Sequence, residues 1–285
     1  SRRISSKIHR KKSKMNPLKS TDWLAENIDK VKILDATWHL PNSNRNALKE
    51  YEHGHIENSI FFDLDKNSNQ NVSLPHMLPT KSEWEKIVSN LGIQNNDHVI
   101  VYDNSDVLSA SRCWFTFLYF GHNTNLVSVL DGGLKKWNLE KRPLTTDSTN
   151  LTQTNYTAST KKGLILDLEQ IKKNIKKRDF CLVDARGEKR FKGLVDEPRK
   201  NLKKGNIQGS KNLPYLNVIN SENNTFKKKN ELKKVFLSHD INLNEKLAFS
   251  CGSGITACVL GLASTVINNK LPVIYDGSWA EYGHK

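Results

Sequence analysis

This chain of 285 residues has no apolar run near the roughly 18 to 20 residues that a membrane-spanning helix needs, so insertion into a bilayer is excluded. It has only four cysteines, Cys113, Cys181, Cys251 and Cys258, at irregular spacings. That scarcity excludes a disulfide framework and a zinc CxxC pair, and it fits a reducing compartment. It also lacks any aromatic-interleaved basic module, so its formal charge of +14 does not read as nucleic-acid binding. Half of that excess sits in "SRRISSKIHRKKSK", residues 1–14, which holds no acid. This tail is expected to be disordered, either an organelle presequence or a start-site extension; the leading Ser favours the extension. The rest is spread over Lys-rich solvated faces such as "KKNIKKR" and "FKKKNELKK".

What is present is enough apolar sequence, 36% with six Trp and ten Phe, to fill about two cores. The chain also repeats itself. "VKILDATWHLP" answers "FCLVDARGEKRF", pairing Asp35 with Asp184. "GHIENSIFFDL" answers "GNIQGSKNLPY", and "HVIVYDNS" answers "KLAFSCGS", pairing Asp103 with Cys251. "VSVLDGGLKKW" answers "LPVIYDGSWAEY", pairing Asp131 with Asp276. Four pairings at nearly constant offset mean two tandem copies of one unit. The copies are expected over 15–143 and 163–285, joined by a linker at 144–162. That linker is rich in Thr, Ser and Asn and carries no apolar period, so it is not expected to bury a core face.

In each copy, short β-branched runs alternate with helical patterns. "KILDA", "HVIVY" and "LVSVL" read as strands, as do "CLVDA", "KLAFS" and "PVIYD". "TKSEWEKIVSNLG" opens on a Thr cap and stops at Gly; "DLEQIKKNIKK" and "ITACVLGLASTVI" are further helices. Near-continuous apolar strands interleaved with helices predict an α/β fold, two small parallel sheets each covered on both faces.

Ligands in such sheets bind where strands end and helices begin. "LAFS", Cys251, "GSGIT" and "ACVLGLAS" follow that strand–loop–helix order. Gly252 and Gly254 let successive N–H groups, including those of Ile255 and Thr256, turn inward as an anion nest. A thiolate there should be favoured and reactive, which makes Cys251 the candidate nucleophile. The alternative is a small buried hydrophobe at a strand end. Cys258, one helical stretch later, reads as core, and so do Cys181 and Cys113. A phosphatase loop needs Arg six residues after its Cys. Ala257 stands there, so no guanidinium clamps a phosphoryl group.

"CGSGIT", "DATWHLP", "GHIENSIFFDLD", "LPHMLP" and "VDEPR" within a tandem α/β repeat resemble the rhodanese superfamily of sulfurtransferases, in its mercaptopyruvate-using branch. The resemblance runs from about Asp22 to Tyr282. It implies two rhodanese-like units and a persulfide on Cys251 that is loaded from 3-mercaptopyruvate. The sulfur would pass to cyanide or a thiol acceptor such as a thioredoxin-like protein. Thiosulfate-preferring relatives usually place basic residues after the loop Cys, where this chain has Gly252 and Ser253. By the same resemblance Arg190 and Arg199 hold the donor's carboxylate and keto oxygen. Ser253, His76 and Asp63 form an assisting hydrogen-bonded set, and Asp184 and Arg186 are structural. Asp103 cannot carry sulfane sulfur, so the first copy should be silent and wall the cleft. A monomer without cofactor or metal is expected. It should be cytoplasmic, or mitochondrial if the tail is a native presequence. A thiosulfate:cyanide sulfurtransferase and a non-enzymatic persulfide carrier are the alternatives.

Overall fold

The computed structural model describes residues 14–285, so all of the basic tail but Lys14 lies outside the described residues. The first half runs β1 (Leu18–Lys19), α1 (Thr21–Asn27), β2 (Lys32–Asp35), α2 (Ala47–His53), β3 (Ser59–Phe61), α3 (Lys81–Asn90), β4 (Val99–Tyr102), α4 (Ala110–Tyr119), β5 (Val127–Leu130) and α5 (Gly133–Leu139). The second runs β6 (Ile165–Leu166), α6 (Leu168–Lys177), β7 (Cys181–Asp184), α7 (Glu188–Phe191), β8 (Lys211–Asn212), α8 (Lys229–Ser238), β9 (Leu247–Ser250), α9 (Thr256–Asn268), β10 (Ile274–Tyr275) and α10 (Ser278–Tyr282). Each half forms one five-stranded sheet, in orders β1-β5-β4-β2-β3 and β6-β10-β9-β7-β8. Every pair is parallel, and the two orders are the same order.

Local chemistry accounts for the helix boundaries. Thr80 caps α3 in a reciprocal capping box with Glu83, and Asp167 does the same for α6 with Gln170. Gly92, just past α3, takes the left-handed conformation at φ 71° that lets the chain leave the helix. The central strands β4 and β9 are buried because helices cover both sheet faces. The expected α/β class and parallel sheets are what the chain adopts. The two-residue strands β1, β6 and β8 and the three-residue β3 were not expected, being too short to show a period.

Helices α4 and α9 pack against each other, and one hydrophobic core runs through both halves. Residues 144–162 depart from expectation. Apart from a bridge of Thr145 to His55 and the 3-10 turn that begins at Lys162 they form no regular element, yet Tyr156 and Ala158 are buried in that core. The hydroxyl of Thr154 donates to the Ile93 carbonyl at 2.6 Å, and the N–H groups of Ser159 and Lys161 donate to Phe120 and Tyr119. The Tyr156 hydroxyl meets His122 Nδ1 at 2.9 Å. Short polar side chains satisfy loop carbonyls here, so the segment lies strapped to the first half without any apolar period.

The halves are joined by polar contacts that repeat across the duplication. Asp131, after β5, accepts the N–H of Phe226 in the second half at 2.8 Å. Asp276, after β10, accepts the N–H of Leu78 in the first half at 3.0 Å. Two residues before each acceptor's partner stand His76 and Asn224, with left-handed φ of 59° and 60°.

Candidate active site

Cys251 follows β9 directly, and its side chain faces a loop that turns back over it. Gly254, at φ 86°, donates its N–H to Cys251 Sγ at 3.0 Å. The N–H groups of Gly252, Ser253 and Ile255 have no acceptor among the described residues, so they remain available to an anion. The other side of the loop is tied down. Cys251 N–H donates to Ser278 Oγ at 3.0 Å, and the Cys251 and Gly252 carbonyls accept from Trp279 and Ala280 at 2.9 Å. Cys251 is 2% exposed and Ser253 6%. Ile255 points into the core, so only its backbone can meet a ligand; Thr256 opens α9.

The glycines are needed for space as well as for turning. A Cβ on Gly252 would stand 3.0 Å from Arg190 Nη2 and 3.7 Å from Arg199 Nη1. Both expected arginines therefore sit over the residue beside the nucleophile. A Cβ on Gly254 would meet Arg112 Nη1 at 3.0 Å and the Asp276 carbonyl at 3.1 Å. Arg199 has no hydrogen-bond or ion-pair partner among the described residues. Burial weakens the charged form of its guanidinium, with the Cys251 sulfur pulling the other way.

The assisting set crosses between the halves. Ser253 Oγ lies 2.9 Å from His76 Nδ1, and His76 Nε2 lies 3.0 Å from Asp65 Oδ1. This corrects the expectation for Asp63. The chain turns beyond β3, and the turn sends the two carboxylates of "FFDLD" to different places: Asp63 accepts the N–H of Lys66, while Asp65 meets the histidine. Trp38 Nε1 also donates to Asp65, at 3.0 and 3.1 Å, and the Trp38 ring meets the His76 ring edge-on at 4.7 Å. The His76 hydrogen bond, working against burial, holds the Asp65 carboxyl below its ordinary value. Burial keeps the imidazole below 6.5, against the raising pull of Asp65. A neutral ring therefore donates Nε2–H to a carboxylate that can only accept. Nδ1 is then the acceptor for the Ser253 hydroxyl.

Sequence reasoning missed the groups that hold these parts together. Arg112, on α4 of the first half, is buried against Asp276 at 2.6 Å. It also donates to the His76 carbonyl at 2.5 Å and the Gly254 carbonyl at 3.2 Å. One guanidinium thus fixes both the histidine and the nucleophile loop. Glu197 was missed as well. It accepts from Arg190 Nε and Nη2 at 2.8 and 3.0 Å and from Arg186 Nη1 at 3.0 Å. Arg186 and Asp184 form the expected structural pair. The available signals were a lone Arg in an apolar helix and a Glu inside an arginine-bearing loop; neither names a partner. Burial pushes the Cys258 thiol up to about 12 and the Cys113 thiol higher still, in keeping with packing roles. No cluster of His, Cys, Asp and Glu suited to a metal ion occurs among the described residues, and no helix there is long and apolar enough to cross a membrane.

A cysteine at a strand-to-helix crest of a duplicated parallel α/β sheet, roofed by arginines, defines a thiol enzyme that works on anions. The description "Rhodanese-like domain" matches the chain twice, over residues 20–140 and 167–285. The chain belongs to this family. It is 38% identical to thiosulfate/3-mercaptopyruvate sulfurtransferase 1, mitochondrial, of Arabidopsis thaliana, over 95% of this chain and 76% of that protein. With 3-mercaptopyruvate sulfurtransferase of Homo sapiens it shares 35% identity over 93% of this chain and 91% of the relative. The crystal structure of SseA from Escherichia coli, a 3-mercaptopyruvate sulfotransferase, matches with a TM-score of 0.83 at 31% identity, covering 93% of this chain and 100% of the other.

Proposed function

We propose that this protein moves sulfur from 3-mercaptopyruvate, through a persulfide on Cys251, to a thiol acceptor or cyanide. The observation that carries this reading is the roof of Arg190 and Arg199 over Gly252, beside a thiol that meets the Gly254 N–H at 3.0 Å. Forked donors suit a 2-keto carboxylate better than a point charge does. The chain offers no basic side chain at Gly252 or Ser253 for a dianion. Relatives named for 3-mercaptopyruvate and for thiosulfate both occur at similar identity, so the donor reading is supported by the arginines and the loop instead.

In the first step the Cys251 thiolate attacks the donor's thiol sulfur. An S–S bond forms, the donor's C–S bond breaks, and its electron pair becomes the enolate of pyruvate. Arg190 and Arg199 stabilise that developing charge. The proton that left Cys251 travels by way of Ser253 to His76, oriented by Asp65, and returns to the enolate carbon as pyruvate forms. The backbone N–H groups hold the persulfide until its outer sulfur is taken by the acceptor, in ping-pong order. The first half contributes His76, Asp65 and Arg112 and no nucleophile. A monomer suffices for this chemistry, because one chain supplies every group. A mitochondrial address is the alternative to the cytoplasm, and one relative bears it in its name.

The test is pyruvate release from 3-mercaptopyruvate. Cys251→Ser should lower it by about three orders of magnitude or more, as loss of a catalytic nucleophile does. Release at the parent rate by that variant would remove Cys251 from the reaction.

A further inference from the structure

The two arginines over Gly252 differ in what they carry. Arg190 is gripped by Glu197 in a two-point contact, at 2.8 and 3.0 Å. Glu197 itself is 2% exposed along its side chain. Burial works against its charge, but the hydrogen bonds and charges of Arg190 and then Arg186 outweigh it and hold the carboxyl below its ordinary value. It is therefore a carboxylate at neutral pH. Arg186 is matched separately by Asp184, whose two oxygens it holds at 2.8 to 3.1 Å. Arg186 with Asp184, and Arg190 with Glu197, each sum to zero. Arg199 has no carboxylate in contact among the described residues; Glu197 and Asp65 act on it only from a distance. The roof over Cys251 thus presents two guanidinium forks, one already gripped by a carboxylate and one not.

We propose that Glu197 sets the charge of the donor: by neutralising Arg190 it matches the pocket to one carboxylate and mismatches it to a dianion such as thiosulfate. Specificity of this kind comes from a repulsive element beside the attractive ones. Glu197 acts through Arg190, as a positioning and charge-setting residue. Pro198 disfavours the helical region for Glu197, and the hydrogen bonds from Arg186 and Arg190 fix its carboxylate between them. The inference rests on the reading of Cys251 as the sulfur-accepting nucleophile.

The experiment compares kcat/KM for thiosulfate, read as thiocyanate formed from cyanide, with kcat/KM for 3-mercaptopyruvate. Glu197→Gln keeps an acceptor for Arg190 and removes the charge. The thiosulfate-to-mercaptopyruvate ratio should rise roughly tenfold, mainly through KM, for one added charge in a partly screened site. The rise should shrink with added salt. Glu197→Asp keeps the charge and should keep the parent ratio. A parallel fall with both donors in Glu197→Gln, or an equal shift of the ratio in Glu197→Asp, overturns the proposal. The unmodified protein gives a check independent of folding: sulfate should compete with 3-mercaptopyruvate no better than pyruvate does, and tighter competition by sulfate overturns it too. An unmoved ratio together with a dead Cys251→Ser variant sinks this proposal alone. Pyruvate release retained in Cys251→Ser sinks the reading beneath it.

Discussion

The loop after β9 and the loop after β4 leave the same place in the same sheet order, and they have come to opposite ends. Cys251 and Asp103 occupy equivalent positions, each with its carbonyl accepting an N–H from the start of the segment after the last strand, Trp279 at 2.9 Å and Leu134 at 3.0 Å. At Cys251 the loop N–H groups are left open. At Asp103 the side chain has taken them: its carboxylate accepts from Ser105 at 3.1 Å and Ala110 at 2.7 Å. The twin loop has thus filled its own anion nest. Strand ends show the same divergence. Asp184 is neutralised by Arg186, whereas Asp35 has no such ion pair, only Thr37 and Tyr102 as donors and His55 at a distance, and burial pushes its carboxyl up to about 6. Burial, opposed by the Ala110 and Ser105 N–H groups, also raises the Asp103 carboxyl to about 6. A cavity of 790 Å³ lined by Ser105, Tyr215 and Asn224 opens beside the twin loop, while Cys251 is closed under its arginines. Duplication supplied one scaffold twice; a handful of side chains decided which strand-end loop keeps its N–H groups open and which fills them itself.

The comparison would be strained most by cutting the guanidinium that ties the first half to the Cys251 loop. Arg112→Met leaves Asp276 buried without its partner, a loss of about 3–5 kcal/mol for a broken buried pair. The denaturation midpoint should drop accordingly, and pyruvate release should fall in whatever protein remains folded. A midpoint equal to the parent's would mean that Arg112 is not what joins the halves. Arg112→Lys should recover part of the midpoint but not the release rate, since a point charge cannot reach both the His76 and Gly254 carbonyls.

A smaller effect separates the two carboxylates of "FFDLD". Asp65→Asn should lower kcat for pyruvate release by roughly 10- to 100-fold, as loss of a group that orients a proton-transferring histidine does. Asp63→Asn should leave kcat within about twofold, because its contact is to its own turn. Equal effects in steady-state assays would put the assisting set elsewhere.

The smallest change probes the first half through pH. Asp35→Asn keeps an oxygen for both Thr37 bonds and removes a buried charge whose burial outweighs the help of Thr37, Tyr102 and His55. An acid whose native pKa is raised from 3.8 to about 6 destabilises the fold above pH 6. The variant should therefore be more stable than the parent at pH 8, by about 1–3 kcal/mol. That gain should fade as the pH falls through 6 toward 4. Melting curves across this range check it, and a gain that grows on acidification would reverse the assignment. His76 works with the opposite sign. Its native pKa lies below 6.5, so stability is lost as the pH falls below 6.5 and the unfolded chain takes up the proton first.

Much of the site was legible in one dimension because its parts are local or repeated. The nucleophile stands on a strand–loop–helix junction, and its twin, Asp103, is found by alignment of the chain with itself. Arg190 and Arg199 came from motif resemblance, and both do lie over Gly252. The choice between Asp63 and Asp65 was not legible. Both are carboxylates in one short motif, and which one faces His76 depends on a turn of backbone that only packing against the second half settles. Arg112 and Glu197 were invisible for a related reason. A charged residue reads as surface until its neighbours in space are known, and those neighbours are distant in sequence.

Sequence alone determined the α/β class, the duplication, the strand and helix that bracket Cys251, and the Asp103 that stands at its equivalent position. Strand and helix signals depend on side-chain periodicity and capping between near neighbours, so a linear reading reaches them. Tertiary structure decided which carboxylate serves His76, that residues 144–162 are bound to the first half, and how much positive charge faces the donor. Each of those depends on which buried charges and hydrogen-bonding groups meet across the chain. In a low-dielectric interior that pairing sets their energy, and no spacing along the sequence encodes it.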